Sequence, residues 1–403
     1  MILYVSSAGG SLKNITIQSM TTTKTDDVAN TTAQINRLVD LGCDVVRVAV
    51  PNIASADAIG KIKSNISIPL VADIHFDYKL ALRAIDAGAD KIRINPGNIG
   101  SFENVKAIAA ACNAKNIPIR IGVNSGSLDR CILDKYGGVT AEAMFESVLG
   151  HVRLLNQCDF NNIWLSAKSS SVPLTVATYR LLHEQTDYPL HLGVTEAGTE
   201  YNGIIKSSIG IGALLLDGIG DTIRVSLTAE PEREIVAAKT LLRALNLRPG
   251  IDVISCPTCG RCNIDVVGIA HEVEAKLVLL ERRLDGRRTG NSFLFPAQAV
   301  CPFSKPHFVT RSHETKKSHL SRDLSCTDRF YTAFPQYENF TVAVMGCAVN
   351  GPGEARQADF GIAGVGGNTR DVVLFAKGET IKTVSMDRPI DELFALISDY
   401  FLE

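Results

Sequence analysis

The sequence predicts a (β/α)8 TIM barrel over residues 1–248, followed by a small α/β domain over 249–403. Three observations carry that expectation. From Ile15 to about Leu247, short β-branched runs alternate eight times with helix-period apolar stripes, within about 235 residues, the size of one such barrel. The first strand-to-helix turn lacks the G-x-G-x-x-G that would favour an open doubly wound sheet. Polar and charged residues gather at the carboxyl ends of the strand candidates, where a barrel does its chemistry.

The strand candidates, in order, are "NITIQSM" (14–20), "DVVRVAV" (44–50), "PLVADIH" (69–75), "KIRINP" (91–96), "IPIRIGVNSG" (117–126), "NIWLSAKSS" (162–170), "PLHLGVTEAG" (189–198) and "TIRVSLTAE" (222–230). Each is followed by a helical stretch. Met144, Val148, Val152 and Leu155 form one apolar stripe, and Ile235, Ala238, Leu242 and Leu245 another. Pro249–Gly250 mark a boundary. Beyond it the sequence predicts a helix over 264–284 and strands in "FTVAVMGCAVNGPGEA" and "DFGIAGV". "VVLFAKGETIKTV" reads as a hairpin turning at "KGET", and "DRPIDELFALISDY" as a closing helix. Residues 285–340 show neither period and read as a loop-like insert.

Composition excludes some functions. A net charge of −2 gives no global positive field for nucleic acid. No run of about 18 apolar residues predicts a membrane span. The start, "MILYVSSAGGSLK", lacks the basic n-region of a signal peptide, which points to the reducing cytoplasm and to cysteines without disulfides. Cys43, Cys112, Cys131 and Cys158 are expected to be small buried hydrophobes.

The strand ends are more informative. Arg47, Arg93, Arg120, Lys168 and Arg224 bring five cations to one mouth from different strands, and guanidinium forks suit phosphate oxygens. Asn124 stands among them, with Asp73, His75 and Glu196 as proton-handling or orienting groups. "NGIIKSSIGIG" (202–212), with Lys206, reads either as a glycine-rich phosphate loop after the seventh strand or as a glycine-rich loop with no ligand. No P-loop motif is present. In the second domain, Cys256 and Cys259 have the C-x-x-C spacing that lets two thiolates face one metal or cluster. Cys347 follows an apolar strand, and "GPG" after it can swing Glu354 back towards that sulfur. Spacing leaves Cys262 and Glu354 both open as a fourth ligand.

"QSMTTTKTDDVANT", "VVRVAVP", "VADIHFDYKLAL", "IRINPGNIG", "IRIGVNSGSL", "GVTEAG", "GIIKSSIGIG", "GDTIRVSLT", "CPTCGR" and "MGCAVNGPGEA" resemble the bacterial type of 4-hydroxy-3-methylbut-2-enyl diphosphate synthase, over residues 15 to about 285 and 341 to the end. The resemblance implies a barrel followed by a [4Fe-4S] domain. It implies reductive ring opening and dehydroxylation of 2-C-methyl-D-erythritol 2,4-cyclodiphosphate, in the non-mevalonate isoprenoid pathway. Flavodoxin or ferredoxin would deliver the electrons, and the enzyme would be a cytoplasmic homodimer. Carried onto this chain, the cluster ligands are Cys256, Cys259, Cys347 and Glu354, with Cys262 a bystander. Arg47, Arg93, Arg120, Asn124 and Lys206 would hold the diphosphate, with Arg224 and Lys168 beside them.

The chain departs from the family's pattern at its N-terminus and in the 285–340 segment. Two alternatives follow: a cluster-deficient homologue that binds the diphosphate but is inactive, and a non-redox barrel enzyme with a structural zinc.

Overall fold

In the computed structural model, the residues described are 15–288, 339–347, 355–365 and 371–402. The chain divides into two compact units, Met1–Arg248 and Pro249–Glu403.

The first unit is a parallel barrel. Its strands are β1 (Thr16–Met20), β2 (Val45–Ala49), β3 (Leu70–Asp73), β4 (Lys91–Ile94), β5 (Ile119–Asn124), β6 (Ile163–Lys168), β7 (His191–Leu192) and β8 (Thr222–Ile223). They pair in the order β6-β5-β4-β3-β2-β1-β8-β7. A parallel bridge between Leu165 and Leu190 joins the ends of that order, with Leu165 N–H donating to Pro189 O at 2.9 Å. The helices are α1 (Val28–Asp40), α2 (Ile53–Lys63), α3 (Tyr78–Asp86), α4 (Phe102–Lys115), α5 (Arg130–Tyr136), α6 (Ala141–Asn156), α7 (Val172–Gln185), α8 (Glu200–Leu216) and α9 (Pro231–Ala244). Helix starts are set by side-chain caps. Asp27, Asn52, Asp77, Ser101, Thr140 and Ser171 each accept a first-turn N–H.

Side chains alternate along a strand, and here the two faces have opposite chemistry. Ile17, Val46, Val48, Ile92, Ile94, Ile119, Ile121, Ile163 and Leu165 join the helices' apolar stripes in one buried core. The other face carries Gln18, Arg47, Asp73, Arg93, Arg120 and Lys168. Arg120 of β5 reaches Gln18 of β1, which is not its sheet neighbour, at 3.4 Å, so this face lines the barrel interior.

The structure differs from the sequence expectation in several places. β7 and β8 are two residues long rather than nine or ten. The chain stays close there without a regular ladder: Arg224 N–H donates to Leu192 O at 3.0 Å and Thr195 N–H to Ser169 O at 3.2 Å. Gly193 allows this approach, since a Cβ there would lie 2.6 Å from both Arg224 O and Lys168 Nζ. α5 is an additional short helix between β5 and α6. Cys43 and Cys112 are buried, with burial pushing each thiol up to about 12. Cys158 is only partly buried because it follows the end of α6, and Cys131 is exposed on α5, a short helix with no buried residue.

The second unit is a five-stranded sheet with the order β13-β12-β11-β10-β9. Its elements are β9 (Gly250–Ser255), α10 (Val266–Arg288), β10 (Asn339–Met345), β11 (Phe360–Gly364), β12 (Asp371–Ala376), β13 (Glu379–Ser385) and α11 (Pro389–Leu402). β9, β10 and β11 run parallel; β12 and β13 complete the sheet antiparallel. The β12–β13 turn is at Lys377 and Gly378, with φ of 50° and 82°, the two left-handed centres of a type I′ hairpin. β9 went unread in the sequence because, as an edge strand, it buries only Ile251. α10 continues to Arg288, so the segment read as an insert from 285 begins in helix. Its residues 289–338 lie outside those described. Among the described residues no helix is long and apolar enough to cross a membrane.

Candidate active site

Five of the cations expected at the barrel mouth are brought together. Asp73 organises one side. Its carboxylate is 3.1 Å from Arg93 Nη1, 3.9 Å from Arg47 Nε and 3.3 Å from His75 Nε2. Burial would raise this carboxyl, but Arg47, the His75 hydrogen bond and Arg93 outweigh it and hold it far below the usual carboxylate range. Arg93 also donates to Gly122 O at 3.1 Å.

Arg120 is 2% exposed, and its Nε and Nη2 have no hydrogen-bond partner among the described residues. Lys168 is buried, and its ammonium is pushed well below its ordinary value by burial and then by Arg120, Arg224, Arg47 and Arg93. Buried donors normally have partners. A cluster of five cations with orphaned N–H groups and two carboxylates, Asp73 and Glu234, is therefore suited to a multiply charged anion.

Other expected residues fare differently. Asn124 ends β5, partly buried, with its backbone N–H donating to Ser127 Oγ at 3.2 Å. Glu196 is exposed between β7 and α8 with a φ of 52°, a left-handed conformation uncommon for a non-glycine residue. The stretch 202–212 is not a loop; it lies inside α8, with Lys206 exposed on it. Its glycines serve packing instead. A Cβ at Gly203 would lie 2.6 Å from Leu227 Cδ2, and one at Gly210 2.8 Å from Val194 Cγ2.

Three residues of the mouth escaped the sequence reading of roles. Gln18 accepts from Arg120. Met20 Sδ accepts from Arg47 Nε at 3.2 Å and Nη2 at 3.0 Å. Glu234, buried on α9, accepts from Ser19 Oγ and from Leu227 N–H, both at 3.1 Å, and lies 3.6 Å from Arg224 Nε.

In the second unit, β9 and β10 pair in parallel up to Ser255 and Val344, so Cys256 and Cys347 follow the same end of neighbouring strands. Gly346 N–H donates to Cys256 Sγ at 3.1 Å, and Cys259 N–H to Cys262 Sγ at 3.4 Å. Hydrogen bonds from Arg261, backbone first and side chain second, hold the Cys259 thiol below its ordinary value. Free thiols, N–H donors aimed at sulfur and a thiolate-favouring neighbour suit metal-cluster ligation. Among the described residues no three His, Cys, Asp or Glu side chains already stand in a metal-holding arrangement. Glu354 lies outside the described residues. Cys262 Sγ presses on Gly346, next to Cys347.

A family model described as the GcpE TIM-barrel domain matches residues 5–239, and one described as the GcpE protein C-terminal domain matches residues 319–399. The chain belongs to the GcpE family. The second match begins at 319, inside the segment read as an insert, so the family sequence resumes earlier than 340. A 4-hydroxy-3-methylbut-2-en-1-yl diphosphate synthase (flavodoxin) of Fusobacterium nucleatum is 48% identical over 389 residues, covering 96% of this GcpE chain and 92% of its own length. One so named from Caldicellulosiruptor saccharolyticus is 50% identical over 380 residues, covering 94% of this chain and 92% of its own. Identity at this level over nearly the whole chain gives no support to the inactive-homologue alternative. Among solved structures, a dihydropteroate synthase from Stenotrophomonas maltophilia has a TM-score of 0.44 at 12% identity, covering 59% of this chain and 93% of its own; nothing further rests on that likeness.

Proposed function

We propose that this GcpE chain is a 4-hydroxy-3-methylbut-2-en-1-yl diphosphate synthase. It is an iron–sulfur oxidoreductase that reductively opens and dehydroxylates 2-C-methyl-D-erythritol 2,4-cyclodiphosphate in the non-mevalonate isoprenoid pathway. The observation that carries the substrate side is the cation set of Arg47, Arg93, Arg120, Lys168 and Arg224, of which Arg93, Arg120 and Lys168 are buried and Arg120 and Arg224 keep guanidinium nitrogens without a hydrogen-bond partner among the described residues. These groups neutralise the diphosphate and fix its place in the barrel, with Asn124 at the rim. Lys206, exposed on α8, is at most an outer contact.

His75 Nε2, held by Asp73, is placed to give or take a proton at the mouth, and Glu196 offers a second carboxyl there. Cys256, Cys259, Cys347 and Glu354 would hold the [4Fe-4S] cluster, which when bound would supply the electrons of the reductive step, with glutamate the one hard ligand among three thiolates. Flavodoxin is the electron donor, as the relatives' names state for them. Ferredoxin is the other carrier that fits the chemistry. The enzyme works in the cytoplasm as a homodimer.

Anaerobic reconstitution tests the ligand set. Cys262→Ser should keep about four irons and four sulfides per chain, and Cys347→Ser should fall clearly below that. Stoichiometric zinc without sulfide in the unmodified protein would overturn the reading.

A further inference from the structure

Met20 ends β1 and points into the cation set. Its thioether sulfur accepts from Arg47 Nε and Nη2 at 3.2 and 3.0 Å and lies 3.8 Å from Arg224 Nη1. A thioether is a weak acceptor. It therefore occupies the point where two guanidinium forks converge without satisfying either. Asp73 stands further from Arg47 than this sulfur does, at 3.9 Å, and Glu234 lies 3.6 Å from Arg224 Nε, outside hydrogen-bond distance.

Met20 is also partly exposed, whereas Met144 and Met345 are buried. Of the other methionines, Met386 belongs to the second unit and Met1 lies outside the described residues.

We propose that Met20 is an oxidation site that controls anion binding, with its sulfoxide occupying the guanidinium forks that otherwise take diphosphate. A peroxide transfers one oxygen atom to the sulfur. The thioether loses two electrons, the peroxide O–O bond breaks, and hydrogen peroxide leaves as water. The sulfoxide oxygen is a strong, fixed acceptor facing Arg47 and Arg224, so an incoming phosphate must displace it. The modification is reversible by a thiol-dependent sulfoxide reductase. This inference rests on the reading of Arg47 and Arg224 as diphosphate ligands.

The test uses the full chain and inorganic diphosphate as the probe. The unmodified protein and Met20→Leu are treated with hydrogen peroxide, and their thiols are then restored with dithiothreitol. Affinity is measured by calorimetry, each protein against its own untreated sample. The unmodified protein should lose about tenfold in affinity, the worth of one competing charge-assisted hydrogen bond, while Met20→Leu loses less than about twofold. The Met20 peptide should be one oxygen heavier, and sulfoxide reductase should restore binding. Met20→Gln, which supplies a permanent amide acceptor, should bind weakly without any oxidant. Equal losses in the unmodified protein and Met20→Leu would overturn the oxidation site alone. Failure of the untreated protein to bind diphosphate would overturn the anion-site reading, and this inference with it.

Discussion

Replacing Asp73 with Asn tests the electrostatic logic of the barrel mouth. Asp73 is 3% exposed, is the shared counter-charge of Arg93 and Arg47, and lies 3.3 Å from His75 Nε2. Removing one partner of a buried ion pair costs about 3–5 kcal/mol, because the remaining charge is left uncompensated. Arg93 and Arg47 keep 11% and 13% exposure, which lets some water reach them, so the lower end, about 3 kcal/mol, is the expectation. At about 2–4 °C per kcal/mol for a domain of this size, the melting temperature should fall by about 6–12 °C. Diphosphate supplies the missing negative charge. In saturating inorganic diphosphate, the deficit between the variant and the unmodified protein should shrink by more than half. The sign with pH is also fixed. Asp73 is held below the ordinary carboxylate value of 3.8, so its contribution is complete above that pH and is lost as pH falls below it. The two melting curves should therefore converge in acid. The assay is differential scanning fluorimetry with and without diphosphate. A deficit that diphosphate leaves unchanged would refute the idea that these cations form one anion site.

Two further substitutions probe the same interior. At Gly122→Ala, the new methyl would fall on the Arg93 guanidinium, which must then leave both Gly122 O and Asp73. Calorimetry should show at least about a tenfold loss of diphosphate affinity, with an overpacking cost of about 1–3 kcal/mol; unchanged affinity would remove Arg93 from the site. His191 is buried, and burial first, then Lys168, Arg120, Arg47 and Lys91, push it well below 6.5. The folded state keeps it neutral while the unfolded chain takes a proton, so its share of stability is full above pH 6.5 and declines as pH falls. Between pH 6.5 and 5.5 the loss is about 1 kcal/mol, which His191→Gln should abolish in paired melting curves.

What the sequence made legible follows from what repeats. β1 to β6 announce themselves because apolar residues such as Ile92, Ile94, Ile119 and Ile121 alternate with the inward Arg93 and Arg120. That alternation also exposed the cation set, since an arginine at the inward parity of a strand has nowhere else to go. β7 and β8 were overextended because "LGVTEAG" and "RVSLTAE" keep a strand-like composition after Gly193 and Arg224 have left the ladder. The glycines of α8 were misread because packing glycines and phosphate-loop glycines look alike in one dimension. Only the third dimension shows Leu227 and Val194 against them. Glu234 did leave a signal: it precedes Ala238 and Leu241 by four and seven residues, so a carboxylate stands on the buried stripe of α9. Met20 left none, because a methionine ending a strand reads as core until the guanidinium nitrogens around its sulfur are seen.

The barrel interior departs from the usual arrangement, in which layers of branched apolar side chains fill the centre. Here the apolar core lies between strands and helices, and the centre is given to Arg47, Lys91, Arg93, Arg120, Lys168 and Arg224, countered by Asp73 and Glu234. Like charges this close repel by up to about 4 kcal/mol per pair even at an effective dielectric of 20. Such a cluster is tolerated only where something else is gained, and for an anion site that gain is affinity. The free protein should therefore be less stable than its apolar core alone would make it, and a bound diphosphate should stabilise it by more than mass action on an electrostatically neutral pocket would supply. Glu234 fits the same logic from the other side. From α9 it ties Arg224 to β1 through Ser19 and to the β8–α9 connection through Leu227. Arg224, set just beyond the short β8, is thus positioned by a carboxylate that comes from a helix rather than from a strand of the barrel.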